Sequence, residues 1–345
     1  MERAPAFSAI LPTYQRRESL RRVLERLGRQ AYPTDRLEII VVCDGCTDGS
    51  AEMARSFDAR FPLTVLEQPN QGPAVARNQG LAHARGPFVL FVDDDVLPEP
   101  SFVAEHAAAH EGREDRVVIG PLMPSPQRHL PWVDWEGRKL VEQYRLIEAG
   151  VYKPSPYQFF TGNASVRLDA LRRVGGFDPA FRRAEDVELA LRLQASRMDF
   201  VLAPRAGALH EADRPYASWL RAAYQYGRND VRLADKGTAH SYKRLADTFE
   251  MRHPLMQSAI KTGLRNRRAA AALRTGAGMV ARSAAARRIA ALGRVACSVA
   301  FNFEYWRGVG DELGGESLLR DAIVPWRFRH DAEPRPGEAR TTSSC

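Results

Sequence analysis

Three consecutive aspartates, Asp93, Asp94 and Asp95, close the apolar run FVLFV at residues 88–92. Like charges at the end of a buried strand need a reason. Either they splay into solvent in a turn, or a cation lies among them. Asp93 and Asp95 form a D-x-D, and hard divalent ions such as Mg2+ and Mn2+ take carboxylate oxygens and complete their shells with substrate phosphate oxygens. Such an ion would also neutralise a diphosphate leaving group as a Lewis acid. By itself the pattern is short and reads equally as a solvated acidic turn.

A second acidic pair, Glu185 and Asp186, opens a run in which Val187, Ala190, Leu191 and Gln194 recur at helical spacing. Both acids therefore fall in the first turn of a helix, where the macrodipole stabilises carboxylate. The pair serves either helix-end electrostatics or general-base chemistry, for which a carboxylate of modest pKa suffices when a hydroxyl loses its proton as the new bond forms. Cys43 and Cys46 form a C-x-x-C, but no second Cys/His pair follows at zinc spacing, and TDGS after them reads as a turn. Reduced structural thiols are expected.

These groups must be positioned by the elements around them. AFSAILPT (6–13), LEIIVVCD (37–44), LTVLEQ (63–68) and PFVLFVDDD (87–95) read as strands, separated by helical stretches such as SLRRVLERLGRQ (19–30) and GPAVARNQGLAHAR (72–85). Continuous apolar strands alternating with helices predict an α/β fold, a doubly wound and mostly parallel sheet with helices on both faces. Ligands in such sheets bind beyond the carboxyl ends of the strands, which places Thr13, Asp44 and the three aspartates on one crevice. Residues 120–160 lose the alternation and, with Trp132, Trp135, Tyr144, Tyr152 and Tyr157, read as an inserted aromatic region. A strand, two helices and a Gly-Gly turn follow over 159–194, then a strand pair over 200–210. From Ser218 the chain reads as Ala-, Leu- and Arg-rich helices.

Five segments, SAILPTYQR, VVCDGCTDGS, NQGPAVARNQGL, FVDDDVLPEP and FTGNASVRLDALRRVGGFDPAFRRAEDVELALRL, resemble in order and spacing the family 2 glycosyltransferases with the GT-A fold. The likeness runs from about residue 7 to about 228. It implies an inverting, metal-dependent enzyme that moves a sugar from a nucleotide-diphosphate sugar, a UDP-sugar being favoured, to an acceptor hydroxyl. The acceptor would be a glycan, a lipid-linked sugar or a small molecule. Carried over by motif, Pro12, Thr13, Asp44, Asp93 and Asp94 hold the donor, Gly162, Asn163 and Glu185 lie on the acceptor side, and Asp186 is the general base. Asp93 and Asp95 hold Mn2+ or Mg2+, and His210 at the end of VLAPRAGALH is either a further metal ligand or a packed capping residue. Arg77 and Asn78 either contact the donor or tie loops together. Cys43 stands where many members carry a second acid, so Asp44 is left to make the base contact by itself. A nucleotidyltransferase would need a Gly-rich loop after the first strand, and LPTYQRRESL has no glycine. A non-catalytic, membrane-associated sugar-binding module would not require Asp93, Asp95 and Asp186 together.

These readings divide the chain into a transferase domain over 1–215, with its nucleotide-sugar half at about 1–100 and its acceptor half at about 101–215. A basic helical region over 216–330 and a disordered tail over 331–345 complete it. With 44% hydrophobic and 27% charged residues the composition is that of a globular protein. No run approaches the ~18 apolar residues of a membrane span, and MERAPAFSAILPTY lacks the apolar core of a signal peptide, so a cytoplasmic location is expected. The net charge of +8 is concentrated: residues 251–303 hold ten Lys and Arg and no acid, leaving −2 for the remainder. That stretch reads either as an interfacial surface on the inner, anionic face of a membrane or as a soluble cap. Nucleic-acid binding is not expected, for want of any recognised motif.

Overall fold

Burial on both faces dictates the central strands. The computed structural model describes residues 7–125, 130–212, 214–237, 242–287 and 289–315; the tail expected over 331–345 lies outside them. In β1 (Phe7–Thr13), Phe7, Ala9 and Leu11 enter one core, with Leu20, Val23, Leu24 and Leu27 of α1 (Arg17–Gly28), while Ile10 enters the other. β2 (Leu37–Asp44) divides in the same way and is buried at every position. This is the two-residue strand period acting on a sheet covered on both sides. Each fully buried Leu, Ile or Val contributes about 1.5–3 kcal/mol, so a run of them specifies the strand more strongly than any single residue.

α2 (Ser50–Arg55) joins the first core, followed by β3 (Leu63–Gln68), α3 (Pro73–His83) and β4 (Phe88–Phe91). β4 stops four residues before the strand expected over 87–95, because the chain turns at the aspartates, with Val96 N–H donating to Asp93 C=O at 3.1 Å. β5 (Val96–Pro98), α4 (Phe102–His110), β6 (Arg116–Ile119) and β7 (Leu122–Pro124) come next. Within the aromatic region lies an 18-residue helix, α5 (Pro131–Glu148), which buries Trp132, Trp135 and Tyr144, while Tyr152 and Tyr157 follow it. The buried rings are packing groups: Trp132 Nε1 donates to Arg214 C=O at 2.7 Å, and Trp135 meets Trp219 edge-on at 5.8 Å.

β8 (Ala164–Arg167), α6 (Leu168–Arg173), α7 (Glu185–Ala195), β9 (Asp199–Leu202) and β10 (Ala208–His210) complete this part. The large sheet has the order β3-β2-β1-β4-β8-β6-β9, parallel except where β8 pairs antiparallel with both β4 and β6. β9 and β10, expected as a pair, part company, since β10 joins β5 and β7 in a separate three-stranded sheet. α1, α2 and α4 cover one face of the large sheet, and α3, α6 and α7 the other.

The remaining helices are α8 (Tyr216–Asp235), α9 (Tyr242–Glu250), α10 (Pro254–Arg265), α11 (Arg267–Ala286) and α12 (Ala290–Glu312). The chain divides into two compact units, one reaching to Trp219 and including Ala281–Cys297, the other comprising Leu220–Val280 and the chain from Ser298. The second unit packs Val231, Leu245, Phe249, Ile260, Trp306 and Val309 together. There α8 and α12 cross backbone to backbone: a Cβ at Gly227 would stand 1.9 Å from Tyr305 C=O, and one at Gly308 2.0 Å from Tyr224 C=O. Among the described residues, no helix is long and apolar enough to cross a membrane.

Candidate active site

Thr13, Asp44 and the three aspartates lie at or just beyond the carboxyl ends of β1, β2 and β4. The turn from β4 into β5 sends the three aspartates to different partners. Asp93 accepts from Arg77 Nη2 at 2.6 Å, Asp94 Oδ2 from the Thr13 hydroxyl at 2.7 Å, and Asp95 Oδ2 from Arg16 Nη1 at 2.6 Å. Arg16 also stands 3.4 Å from Asp94 Oδ1. Across from it, His210 at the end of β10 places Nε2 3.6 Å from Asp95 Oδ1. The mutual repulsion of the acids is thus met by two arginines, one from the start of α1 and one from α3.

Environment separates these carboxyls. Burial pushes Asp94 up to about 7, against the pull of Arg16. Asp95 is buried too, but the nearby His210, with the charge and hydrogen bond of Arg16, holds it well below the usual carboxylate range. Neighbouring acids with opposite shifts are a frequent mark of functional sites.

Arg77 carries the connection onward. It is almost wholly buried, and Nη1 donates to Glu185 at 2.8 Å while Nη2 holds Asp93. Glu185 begins α7, entered through the left-handed Ala184, and Asp186 follows with Oδ1 accepting from Val187 N–H at 2.8 Å. Burial first, and the charge of Glu185 second, push Asp186 up to about 7, with Arg77 pulling the other way. Gly162 lies beside the same group; a Cβ there would stand 3.2 Å from Asp93 Oδ2 and 3.0 Å from Val96 Cγ2.

Other residues singled out in the sequence hold structure. The Asp44 carboxylate accepts from Gln68 Nε2 and from the Gln71 and Gly72 amides, pinning the loop from β3 to α3. Asn78 exchanges two 2.8 Å bonds with the Phe177 backbone. The side chain of Asn163, expected on the acceptor side, is instead fully buried, where it bonds His106, Pro121 C=O and Ala206 C=O. Pro12 and Thr13 sit at the end of β1, where the Thr13 hydroxyl is spent on Asp94. Burial pushes the Cys43 thiol far up, so it is no nucleophile at neutral pH. Arg16 was not anticipated; its one signal in the sequence was a cation three residues beyond a strand-ending threonine.

The donor set fits a divalent ion in one specific way. Among the described residues no three His, Cys, Asp or Glu side chains gather at ligand distances. Asp95 and His210 nevertheless present an oxygen and a nitrogen side by side, with Asp93 on the same turn. That suits an ion which takes one or two protein carboxylates and fills its shell from substrate phosphates and water.

A mostly parallel sheet flanked by helices, with an acidic turn facing the start of a carboxylate-bearing helix, defines the GT-A class of fold. Residues 8–175 match the family described as glycosyl transferase family 2. It is similar to the validoxylamine A glucosyltransferase of Streptomyces hygroscopicus subsp. jinggangensis, at 32% identity over 219 residues, covering 55% of this chain and 52% of that one. It is also similar to the uncharacterized glycosyltransferase YfnE of Bacillus subtilis, at 40% over 252 residues, covering 59% and 64% respectively. The chain therefore spans about half the length of the glucosyltransferase. In fold it resembles the mannosyltransferase PcManGT from Pyrobaculum calidifontis in complex with GDP-Man and Mn2+, with a TM-score of 0.56, 21% identity, and coverage of 96% of this chain and 89% of that one. Residues 1–349 of S. aureus TarS in complex with UDP give a TM-score of 0.51 at 19% identity, covering 88% and 90%.

Proposed function

We propose that this chain transfers a sugar from a nucleotide-diphosphate sugar to an acceptor hydroxyl with inversion at the anomeric carbon. The observation that carries this reading is the continuous chain of bonds from the aspartate turn to the helix that bears Asp186, through Asp93, Arg77 and Glu185. It couples a place for a diphosphate to a carboxylate suited to accept a proton.

Asp186 takes the acceptor proton as the acceptor oxygen attacks. The anomeric carbon–oxygen bond to the diphosphate breaks on the opposite side, and the nucleoside diphosphate leaves with the bonding pair. A base poised near neutral pH is well matched to this task. Asp95 and His210, with Asp93 beside them, would hold Mn2+ or Mg2+, whose chemistry is to neutralise the departing diphosphate. The strand ends at Pro12, Thr13 and Asp44 form the nucleoside half, Asp44 acting through the loop it pins. Gly162 and Glu185 border the acceptor half. The glycosyltransferase names of the relatives, and the GDP-Man and UDP bound by the structural neighbours, support a nucleotide-sugar donor.

The acceptor is a glycan, a lipid-linked sugar or a small molecule. Met251 and Leu255, 79% and 76% exposed within the basic stretch, favour contact with an anionic membrane surface at which a lipid-linked acceptor would be met.

The test is a panel of UDP-, GDP- and dTDP-sugars assayed for Mn2+-dependent hydrolysis, with Asp186→Asn as the partner protein. Turnover is expected with at least one sugar. In the variant kcat should fall by about 10²–10⁴-fold, the usual contribution of a general base, while donor affinity persists. Turnover that survives in the variant would remove Asp186 from the reaction.

A further inference from the structure

Arg16 sits where the functional reading places incoming positive charge. It follows Gln15, whose φ of 54° turns the chain from β1 into α1. Its Nη1 lies 2.6 Å from Asp95 Oδ2 and 3.4 Å from Asp94 Oδ1. The Arg16 side chain is 37% exposed, whereas those of both acids are 11% exposed. The carboxylates are therefore fixed in the protein, and the guanidinium reaches them from the solvent side on a long, flexible stem. An ion bound through Asp95 would meet a guanidinium already on the same carboxylate, and the two cations would repel each other.

A nucleotide diphosphate changes that balance. It brings new anionic oxygens beside the turn, and a planar guanidinium is well suited to pair with phosphate. Resting on the glycosyl-transfer reading above, we infer that Arg16 is a placeholder cation. It neutralises Asp94 and Asp95 in the donor-free protein, yields Asp95 to the divalent ion, and then pairs with the donor diphosphate. Metal binding frees Arg16 for the diphosphate, and the diphosphate gives the displaced guanidinium a partner, so each favours the other. Coupling of this kind is reciprocal and typically amounts to about 5–150-fold in affinity. Arg16 is on this account a positioning residue that makes the protein bind ion and nucleotide together and resist the ion by itself.

The experiment measures two affinities in wild type, Arg16→Gln, Arg16→Lys and Arg17→Gln, the last a charge control at the neighbouring exposed position. Mn2+ alone is titrated by electron paramagnetic resonance of the free ion, and UDP and GDP are each titrated by calorimetry with and without Mn2+. Arg16→Gln should bind Mn2+ alone about 5-fold or more tightly than wild type, while the Mn2+–nucleotide coupling collapses from the roughly 5–150-fold range towards unity. Arg16→Lys, which keeps the charge but lacks the planar fork, should fall between wild type and Arg16→Gln in both effects, and Arg17→Gln should match wild type. Circular dichroism and thermal midpoints establish that each variant is folded, and an unfolded Arg16→Gln leaves Arg16→Lys to decide by partial weakening of the coupling. If wild type binds Mn2+ and nucleotide and the Arg16 variants bind them identically, the inference is overturned and the functional reading stands. If wild type binds neither, both are overturned.

Discussion

The acid limb of the pH–rate profile should report Asp186. Burial and the adjacent Glu185 push its carboxyl up to about 7, against about 3.9 for an unperturbed aspartate. A base must be deprotonated to act, so kcat/KM should fall about tenfold for each pH unit below about 7, and by about 100-fold at pH 5. An unperturbed aspartate would lose less than about a tenth of its activity at pH 5. The two neighbours should move the limb in opposite directions. Glu185→Gln removes a negative charge and should shift it to lower pH, whereas Arg77→Gln removes the opposing positive charge and should shift it higher. The assay is kcat/KM between pH 4.5 and 8.5 with a saturating acceptor or, failing one, donor hydrolysis, with metal occupancy checked at each pH. A profile flat to pH 5, or two variants that move the limb the same way, would refute the argument that burial and Glu185 set this group.

Three further outcomes are expected. Asp95→Ala should abolish Mn2+-dependent binding of the nucleoside diphosphate while keeping the far-ultraviolet spectrum, because a turn carboxylate contributes little to either core; undiminished activity of wild type in chelator would count against the metal role. Burial pushes His110 down to about 3, so it is neutral in the folded protein and protonates only on unfolding. This lowered pKa contributes stability above about pH 6.5 that is lost as pH falls, up to about 2 kcal/mol by pH 5. Raised Asp94 and Asp186 act in the opposite sense over the same range, so the check is a difference: urea midpoints between pH 7 and 5 should fall more steeply in wild type than in His110→Gln. Co-sedimentation with anionic vesicles should exceed that with neutral ones and weaken with salt, as attraction screened over ~8 Å at physiological ionic strength requires; equal recovery in the supernatant with both would leave a soluble cap.

The local periodicities were legible in the sequence. β1, β2 and β4 announce themselves because a strand covered on both faces must be apolar throughout, and the start of α7 because Val187, Ala190, Leu191 and Gln194 recur at helical spacing after two acids, although the face that α7 buries is that of Leu189, Ala190, Leu191 and Leu193. The placing of Thr13, Asp44 and the three aspartates follows from the carboxyl ends of those strands. Partner choice was not legible. Thr13 meets Asp94 across 81 residues, Arg77 meets Glu185 across 108, and Arg16 reaches Asp95 across 79. Nothing in a residue type says which distant group chain closure will bring against it. The same reason turns Asn163 into the core, makes Trp132 and Trp135 packing residues of a helix, and sends β9 and β10 to separate sheets. Backbone period is a property of the neighbouring few residues, so sequence determines it. The partners and charge environment of a buried side chain depend on where every other element has packed, and only the tertiary structure decides them.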